Sequence, residues 1–410
     1  MLIAATISLS LIAVKWVLLI RILMTQKPKM KTQQLPLFSA SNRQEHSAFL
    51  TTQLITYIGN KRALLPFIGA AFHTIQQRLK RSKLSILDMF SGTGIVARYC
   101  KQFASHLYVN DLEAYSAVTN RCYLSNVSAV NHAQLNQQFR ALQATIHANL
   151  DAGLITELYS PRDENAIQTS DRVFYTRRNA IYLDTARRYI AQLPEAEQCY
   201  FLAPLLAQAS VHANTSGIFK GFYKNTQGIG QYGGNGKDAL TRILGNIEIQ
   251  MPCFSNFDCD YTIYQEDANQ LVNTMPAVDV AYFDPPYNQH PYGSNYFMLN
   301  LLVNYQRPTA ISKVSGIPTN WNRSKYNQRA AAESALFELI EKCPARFILI
   351  SYNSEGFIKQ DVFLTQLAAL GQYEVYEAQY NAFRGSRNLC HRSLHVKEYL
   401  YLLEKHSRNH

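Results

Sequence analysis

The sequence predicts an α/β protein built on a parallel sheet and interrupted by a long, mainly helical insertion. Three observations carry this. Apolar runs that end abruptly in polar residues recur from Lys83, His106, Tyr261, Val278 and Arg346, and helical spacing follows the first two. The interval from Asp111 to Asp267 has another character, helical and basic at first, then glycine-rich. Strands alternating with helices imply parallel pairing, because a crossover helix returns the chain to the same end of the sheet.

In KLSILDMFSGTGIVARYC the β-forming residues stop at Asp88, and helical spacing resumes after Gly94. HLYVNDLEAYSAV repeats the plan: a strand from His106 to Val109 ends in Asn110-Asp111, and Leu112, Tyr115 and Val118 mark a helix. YTIYQEDANQL, VDVAYFDPPYN and RFILISYN supply three later strands. Within the interval, FYTRRNAIYLDTARRYI sets Arg177, Arg178, Arg187 and Arg188 around an apolar stripe of Ala180, Ile181, Leu183 and Ile190. HANTSGIFKGFYKNTQGIGQYGGNGK then concentrates glycine and aromatic residues, which suits a loop or hairpin lying close to a partner's backbone. The interval reads as an insertion that grips substrate.

At 410 residues and 47% hydrophobic, the chain has material for two or three folded units, which excludes disorder, collagen and coiled coil as overall descriptions. Forty Lys and Arg against 29 Asp and Glu leave a formal charge of +11, favouring a polyanionic partner such as nucleic acid or an acidic membrane surface. The 7 Cys include no CxxC pair and the 11 His form no ligand cluster, so neither a metal site nor a disulfide framework is expected, and a reducing cytoplasm is the expected location. The segment 1–23 is a hydrophobic leader. Its charge-free part, Met1 to Val14, falls short of the ~20 residues a bilayer core requires, and Lys15 in mid-segment would cost about 2.5–3.5 kcal/mol. It also lacks a basic n-region and a convincing cleavage site. Misassigned initiation upstream of Met24 is the favoured reading; a membrane anchor or a helix packed on the protein are the others.

Phe90 to Gly94, FSGTG, forms a strand-to-helix turn in which Gly92 and Gly94 let the backbone approach a ligand. The dinucleotide spacing fails, since Ala97 stands where GxGxxG needs glycine; a Walker lysine is missing too, since Gln231 and Asp238 spoil the pattern around Lys237. Phosphate-bearing cofactors therefore lose ground. Asp111, about 20 residues beyond Gly92, can accept from ribose hydroxyls or cap the next helix. Asp267 can accept from an adenine amino group or serve as a cap. Asp284-Pro285-Pro286-Tyr287 is the strongest signal. Two consecutive prolines deny the chain two amide donors and fix φ, so the strand ends in a rigid loop presenting an aspartate and a tyrosine. That suits an amine nucleophile: Asp284 and the Pro285 carbonyl would accept from an exocyclic amino group while Tyr287 stacks on the base. The electrophile would be a sulfonium methyl, with positioning supplying most of the rate. Reaching such an amine in a duplex requires extruding the base.

FSGTG, NDL and DPPY in that order resemble the amino-methyltransferases that act on DNA adenine, and YIGNKRALLPFI at Tyr57 to Ile68 resembles the segment that precedes the sheet in the Dam-like, alpha-arrangement group. FYTRRNAIYLD, ANTSGIFKGFYK, DPPYNQHPYGSNYFMLN, ISYNSEGFI and YNAFRGSRN with VKEYLYLLEK are similar to its FokI-methylase branch, so that the likeness runs from about Leu54 to Lys405. Asn60 departs from the group, which usually has a second glycine there. The resemblance implies a Rossmann-like S-adenosylmethionine-dependent methyltransferase fold with an inserted, mainly helical target-recognition region. The divisions expected are 45–130 and 261–405 for the catalytic domain and 131–260 for the insertion. It also implies cofactor contacts from Tyr57, Lys61, Asp88, Phe90, Gly92, Gly94, Asp111 and Asp267, and chemistry at Asp284, Pro285 and Tyr287. Double-stranded DNA is the expected partner, with a restriction endonuclease acting separately on the same sequence.

For phosphate contact the candidates are Arg177, Arg178, Lys220 and Lys224, with Arg384, Ser386 and Arg387 facing DNA; each is equally a solvated surface residue. Asn295 and Tyr296 would line a flipped-base pocket or simply start a helix, and Tyr352 and Asn353 would be core. Adenine methylation in structured RNA is the nearest alternative. Cytosine amino methylation is disfavoured because serine more often stands at the Asp284 position in that group. A catalytically silent DNA-binding or membrane-tethered regulator is the reading from another class.

Overall fold

The computed structural model describes residues 44–234, 236–237, 239–381 and 395–406. The leader at 1–23, Met24, Arg384, Ser386 and Arg387 lie outside the described residues. Five strands run parallel: β1 (Leu84–Asp88), β2 (Ala104–Asn110), β3 (Asp260–Tyr264), β4 (Val278–Phe283) and β5 (Ala345–Asn353). The hairpin β6 (Gly371–Asn381) and β7 (His395–Lys405) adds two antiparallel strands, giving the order β3-β2-β1-β4-β5-β7-β6.

The central strands are apolar on both faces because both faces are covered. Ile86, Leu107, Val280, Phe347 and Leu402 share one core with Ile68, Phe72 and Ile75 of helix α1 (Leu65–Leu79), which carries Pro66 in its first turn. Leu87, Ala281, Ile348 and Leu403 point the other way, into a core with Leu336 and Leu339 of the helix Ala332–Lys342. After β1 comes α2 (Ile95–Cys100), and after β2 comes α3 (Ala114–Leu124). Nearly every residue of α3 is buried, so it lacks the one-sided stripe of a surface helix.

The cause is the insertion, which covers the side of α3 that would otherwise meet solvent. Before the chain returns in β3 it builds α4 (His132–Ala148), α5 (Leu154–Tyr159), α6 (Arg177–Ile190) and α7 (Glu195–Val211), then a glycine-rich stretch bridged between Lys224 and Gly230. Asn131 and Thr176 cap α4 and α6 by accepting from Gln134 N and Asn179 N. Tyr115, Val118 and Cys122 of α3 share one core with Leu183 and Phe201 of these helices and with Phe297 and Leu302 of α8 (Phe297–Asn304). Arg187 ties the two parts again, donating to the carbonyls of Leu302 and Val303, both at 2.8 Å. Among the described residues no helix is long and apolar enough to cross a membrane.

Gly94 caps α2 at φ +72°, and a Cβ there would lie 2.1 Å from Asn120 Oδ1 on α3. The glycine therefore sets how closely α2 and α3 approach. Gly94→Ala should lower stability by about 1–3 kcal/mol from backbone strain alone, plus the overlap with Asn120, read as a fall in the urea midpoint at unchanged m-value.

Candidate active site

The chain leaves β1 toward β2 and β3 on one side and toward β4 and β5 on the other, so a crevice opens beyond the carboxyl ends of β1 and β4. The cleft there encloses about 890 Å³ including its open mouth. Tyr57, Lys61, Asp88, Phe90, Gly92, Asp111, Asp267 and Asp284 all line it. Gly94, Pro285 and Tyr287 do not. Gly94 answers to helix packing, Pro286 forms the wall beside the buried Pro285, and Tyr287 lies edge-on to Tyr352 at 6.1 Å.

The turn after β1 is held by its neighbours. Gly92 N donates to Asp111 Oδ2 at 2.7 Å, and Glu113 N donates to Asp111 Oδ1 at 2.9 Å. Gly92 sits at φ +52°, with Tyr57 3.0 Å from where its Cβ would be. The Tyr57 ring stacks on Tyr292 and Tyr296 at 5.0 and 4.8 Å, and its hydroxyl lies 3.2 Å from that of Tyr115. Phe90 meets Tyr326 edge-on at 5.0 Å. Asp267 does cap the helix Ala268–Leu271, accepting from Asn269 N and Gln270 N, while still facing the cleft. For Asp111 and Asp267 the structural role and the place in the cleft coexist.

The lining is strongly acidic: Asp88, Asp111, Glu113, Glu266, Asp267 and Asp284 stand against one lysine, Lys61. Burial pushes the Asp111 carboxyl up to about 6 and, helped by Asp111, Glu113 up to about 7. Asp88 is 1% exposed, its oxygens have no side-chain partner and only weak contacts to the backbone N–H groups of Phe90 and Ala97, and burial raises its pKa well above the carboxylate range. A buried carboxyl of this kind fits a ligand ammonium, and the cleft as a whole suits a cation and repels phosphate.

Lys61 is 4% exposed and lies 3.1 Å from Asp284 Oδ1 and 2.7 Å from Glu398 Oε1 on β7. Glu398, 1% exposed, also accepts from Ser351 Oγ at 2.5 Å and Asn353 Nδ2 at 3.4 Å. Burial raises Asp284 to about 7 against the opposing pull of Lys61.

The basic candidates divide. Lys220 is exposed and close enough to His290 to help burial lower that imidazole's pKa, and the adjoining Phe219 N donates to Asn295 O at 2.7 Å. It therefore stands beside the Asp284 loop. Lys224 lies 5.1 Å over the Phe222 ring, Arg178 donates to Leu244 O, and Arg177 lines a separate cleft with Arg162, Arg172 and Arg307. Asn295 and Tyr296 are buried at a helix junction and do not line the main cleft; Tyr352 and Asn353 are buried at the end of β5. Sequence reasoning missed Glu113, Tyr326, Asn322 and Glu398. Glu113 was within reach, two residues past Asp111 at a strand end. Glu398 was signalled by an acid at period two with the buried Leu400 and Leu402.

A sheet of this order, with an acidic crevice at its switch point and an Asp-Pro-Pro-Tyr loop on the rim, defines an S-adenosylmethionine-dependent amino-methyltransferase. Residues 57–342 match the D12 class N6 adenine-specific DNA methyltransferases, and the chain belongs to that family. It is a site-specific DNA adenine-N6 methyltransferase that uses S-adenosylmethionine. It is similar to type II methyltransferase M.NlaIII of Neisseria lactamica, 29% identical over 86% of this chain and 99% of that protein. It also resembles modification methylase StsI of Streptococcus sanguinis and type II methyltransferase M.FokI of Planomicrobium okeanokoites, at 28% and 27% identity over 85% of this chain and 52% of each of theirs.

Carboxyls with raised pKa are protonated at low pH, and a cationic ligand favours their ionised forms. S-adenosylmethionine affinity should therefore rise between pH 6 and pH 8, with proton release on binding in calorimetry run in buffers of different ionisation enthalpy. Affinity flat across that range would mean that the acidic lining does not meet the ligand's charge.

Proposed function

We propose that the protein methylates a flipped-out adenine within a short duplex sequence, as the modification part of a restriction–modification system of the kind to which the FokI methylase belongs. The observation that carries this is Asp284, fixed by its two prolines at the rim of the acidic cleft with Lys61 on one oxygen. Two of the relatives bear the name modification methylase, which supports the restriction–modification setting, with the nuclease acting as a separate partner.

S-adenosylmethionine, when bound, supplies an electrophilic methyl on a sulfonium. Asp88 would hold its ammonium, Asp111 and Glu113 its ribose hydroxyls and Asp267 its adenine amino group, with Tyr57, Lys61 and Phe90 closing the walls. Asp284 and the Pro285 carbonyl accept hydrogen bonds from the target amino group and draw its lone pair out of ring conjugation, while Tyr287 stacks on the base. With a pKa of about 7, Asp284 also matches the working pH for taking the proton the amine loses. Closing the base into this site excludes water from the reacting atoms. Residues 131–260 read the DNA, and residues 45–130 and 261–405 form the catalytic domain. Lys220, beside the Asp284 loop, neutralises a phosphate next to the extruded nucleotide; Lys224, Arg177, Arg178, Arg384 and Arg387 serve the flanking backbone.

Long-read modification sequencing of DNA from a methylation-free host expressing the protein should show N6-methyladenine at one recurrent short motif. Unmodified DNA from protein that binds S-adenosylmethionine would overturn the reading and direct the search to RNA. Asp284→Ala should lower kcat by at least 100-fold, the lower range for a positioned proton acceptor, with the cofactor dissociation constant little changed. Lys220→Ala should weaken DNA binding equally for cognate and unrelated duplexes and reduce the salt slope of log K by about 1; an unchanged slope would remove Lys220 from the interface.

A further inference from the structure

Lys61 is shared, and the sharing has a chemical consequence. An ammonium paired with Asp284 alone would neutralise it and tie up the carboxylate that the target amino group needs. Here Nζ lies closer to Glu398, at 2.7 Å, than to Asp284, at 3.1 Å. Glu398 is itself fixed from the sheet: Ser351 Oγ donates to Oε1 and Asn353 Nδ2 to Oε2, both from β5, the strand paired with β7. The three charges sum to −1, so the cluster keeps a negative charge at the rim where the amine nitrogen becomes positive as it attacks.

We propose that Glu398 is a positioning residue for the methyl transfer, drawing the Lys61 ammonium away from Asp284 so that the Asp284 carboxylate stays basic and open to the target amino group. The inference rests on the role given to Asp284 above. Other groups facing Asp284 are Asp88 at the end of β1, Tyr282 on β4 and Tyr292 beyond the DPPY loop; Tyr287 faces Lys61. The phenols of Tyr282 and Tyr292 are pushed further above their ordinary range by burial, so across neutral pH neither adds charge, and Asp88, itself raised by burial, is the other carboxyl whose protonation bears on Asp284.

The test is the pH profile of single-turnover methyl transfer with saturating cofactor and DNA. Wild type should lose activity as the pH falls through about 7, where Asp284 takes up a proton. Glu398→Gln keeps the shape of the side chain and can still accept from Ser351, but it removes the charge that raises Asp284. Its acidic limb should move down by about one pH unit, while the plateau rate falls at least tenfold because Lys61 closes on Asp284. Lys61→Gln should move the limb up, and Lys61→Gln/Glu398→Gln, which leaves no lone buried charge of the pair, should return it toward wild type. A limb that stays put in a folded Glu398→Gln protein would overturn the proposal. Should that variant fail to fold, a double variant whose limb matches Lys61→Gln alone would do the same. Asp284→Asn separates the two layers: if it methylates DNA at the wild-type rate, the role of Asp284 fails first; if it is inactive while the Glu398 series shows no displacement, only the role of Glu398 falls.

Discussion

The site depends on one buried cation. Lys61 at 4% exposure cannot stay charged without partners, because taking an ammonium out of water costs several kcal/mol unless opposing charge and hydrogen bonds replace the lost hydration. Its two carboxylates come from distant parts of the chain: Asp284 after β4 and Glu398 on β7. The segment before α1, the loop after β4 and the antiparallel strand are thereby tied at one point beside the crevice. Removing Lys61 leaves two buried carboxylates uncompensated, and removing either carboxylate lets the lysine close on the other, so the geometry of the Asp284 loop and the pairing of β7 with β5 are linked energetically.

Around that point the cleft sorts ligands by charge. A nucleotide cofactor brings phosphates, which six carboxylates and a lysine already engaged by two of its neighbours cannot accommodate. A sulfonium carrying an ammonium brings the opposite sign, which the proposed place beside the buried Asp88 would suit. The +11 of the whole chain and the acidity of this crevice therefore answer to different partners. The basic surplus lies outside, where Lys220 stands next to the Asp284 loop, and a polyanion attracted there does not compete for the cofactor cleft.

The parallel strands and the loops at their carboxyl ends were legible because each is written locally: an apolar run, a polar stop, a glycine turn. The prolines of DPPY announced a rigid presentation in the same way. What stayed hidden depends on register between distant segments. Glu398 is one acid in VKEYLYLLEK, and only the pairing of β7 with β5 sets it beside Asn353 and Lys61. Gly94 shows the converse limit. Its place in FSGTG suggested a ligand, yet its missing side chain serves Asn120 of α3, a contact no local pattern could disclose. Asp111 and Asp267 carried two readings each, and the chain uses the same carboxylates to shape the turns and to line the cleft.

Helix α3 explains why the insertion cannot be treated as an appendage. On one side its Ser116 and Asn120 hydrogen-bond the turn after β1: the Ser116 hydroxyl donates to Gly92 O and Asn120 Nδ2 donates to Ser91 Oγ. On the other side Tyr115, Val118 and Cys122 are packed into the core of the inserted helices. Tyr115 reaches both, since its hydroxyl lies against that of Tyr57 in the cleft wall. Close-packed interiors transmit displacement rather than absorb it, so a shift of the inserted helices on binding DNA would be felt at the glycine turn through a single rigid element. The region proposed to read sequence and the turn proposed to hold the methyl donor thus share one helix, and exchanging the insertion between relatives requires keeping the face of α3 on which it sits.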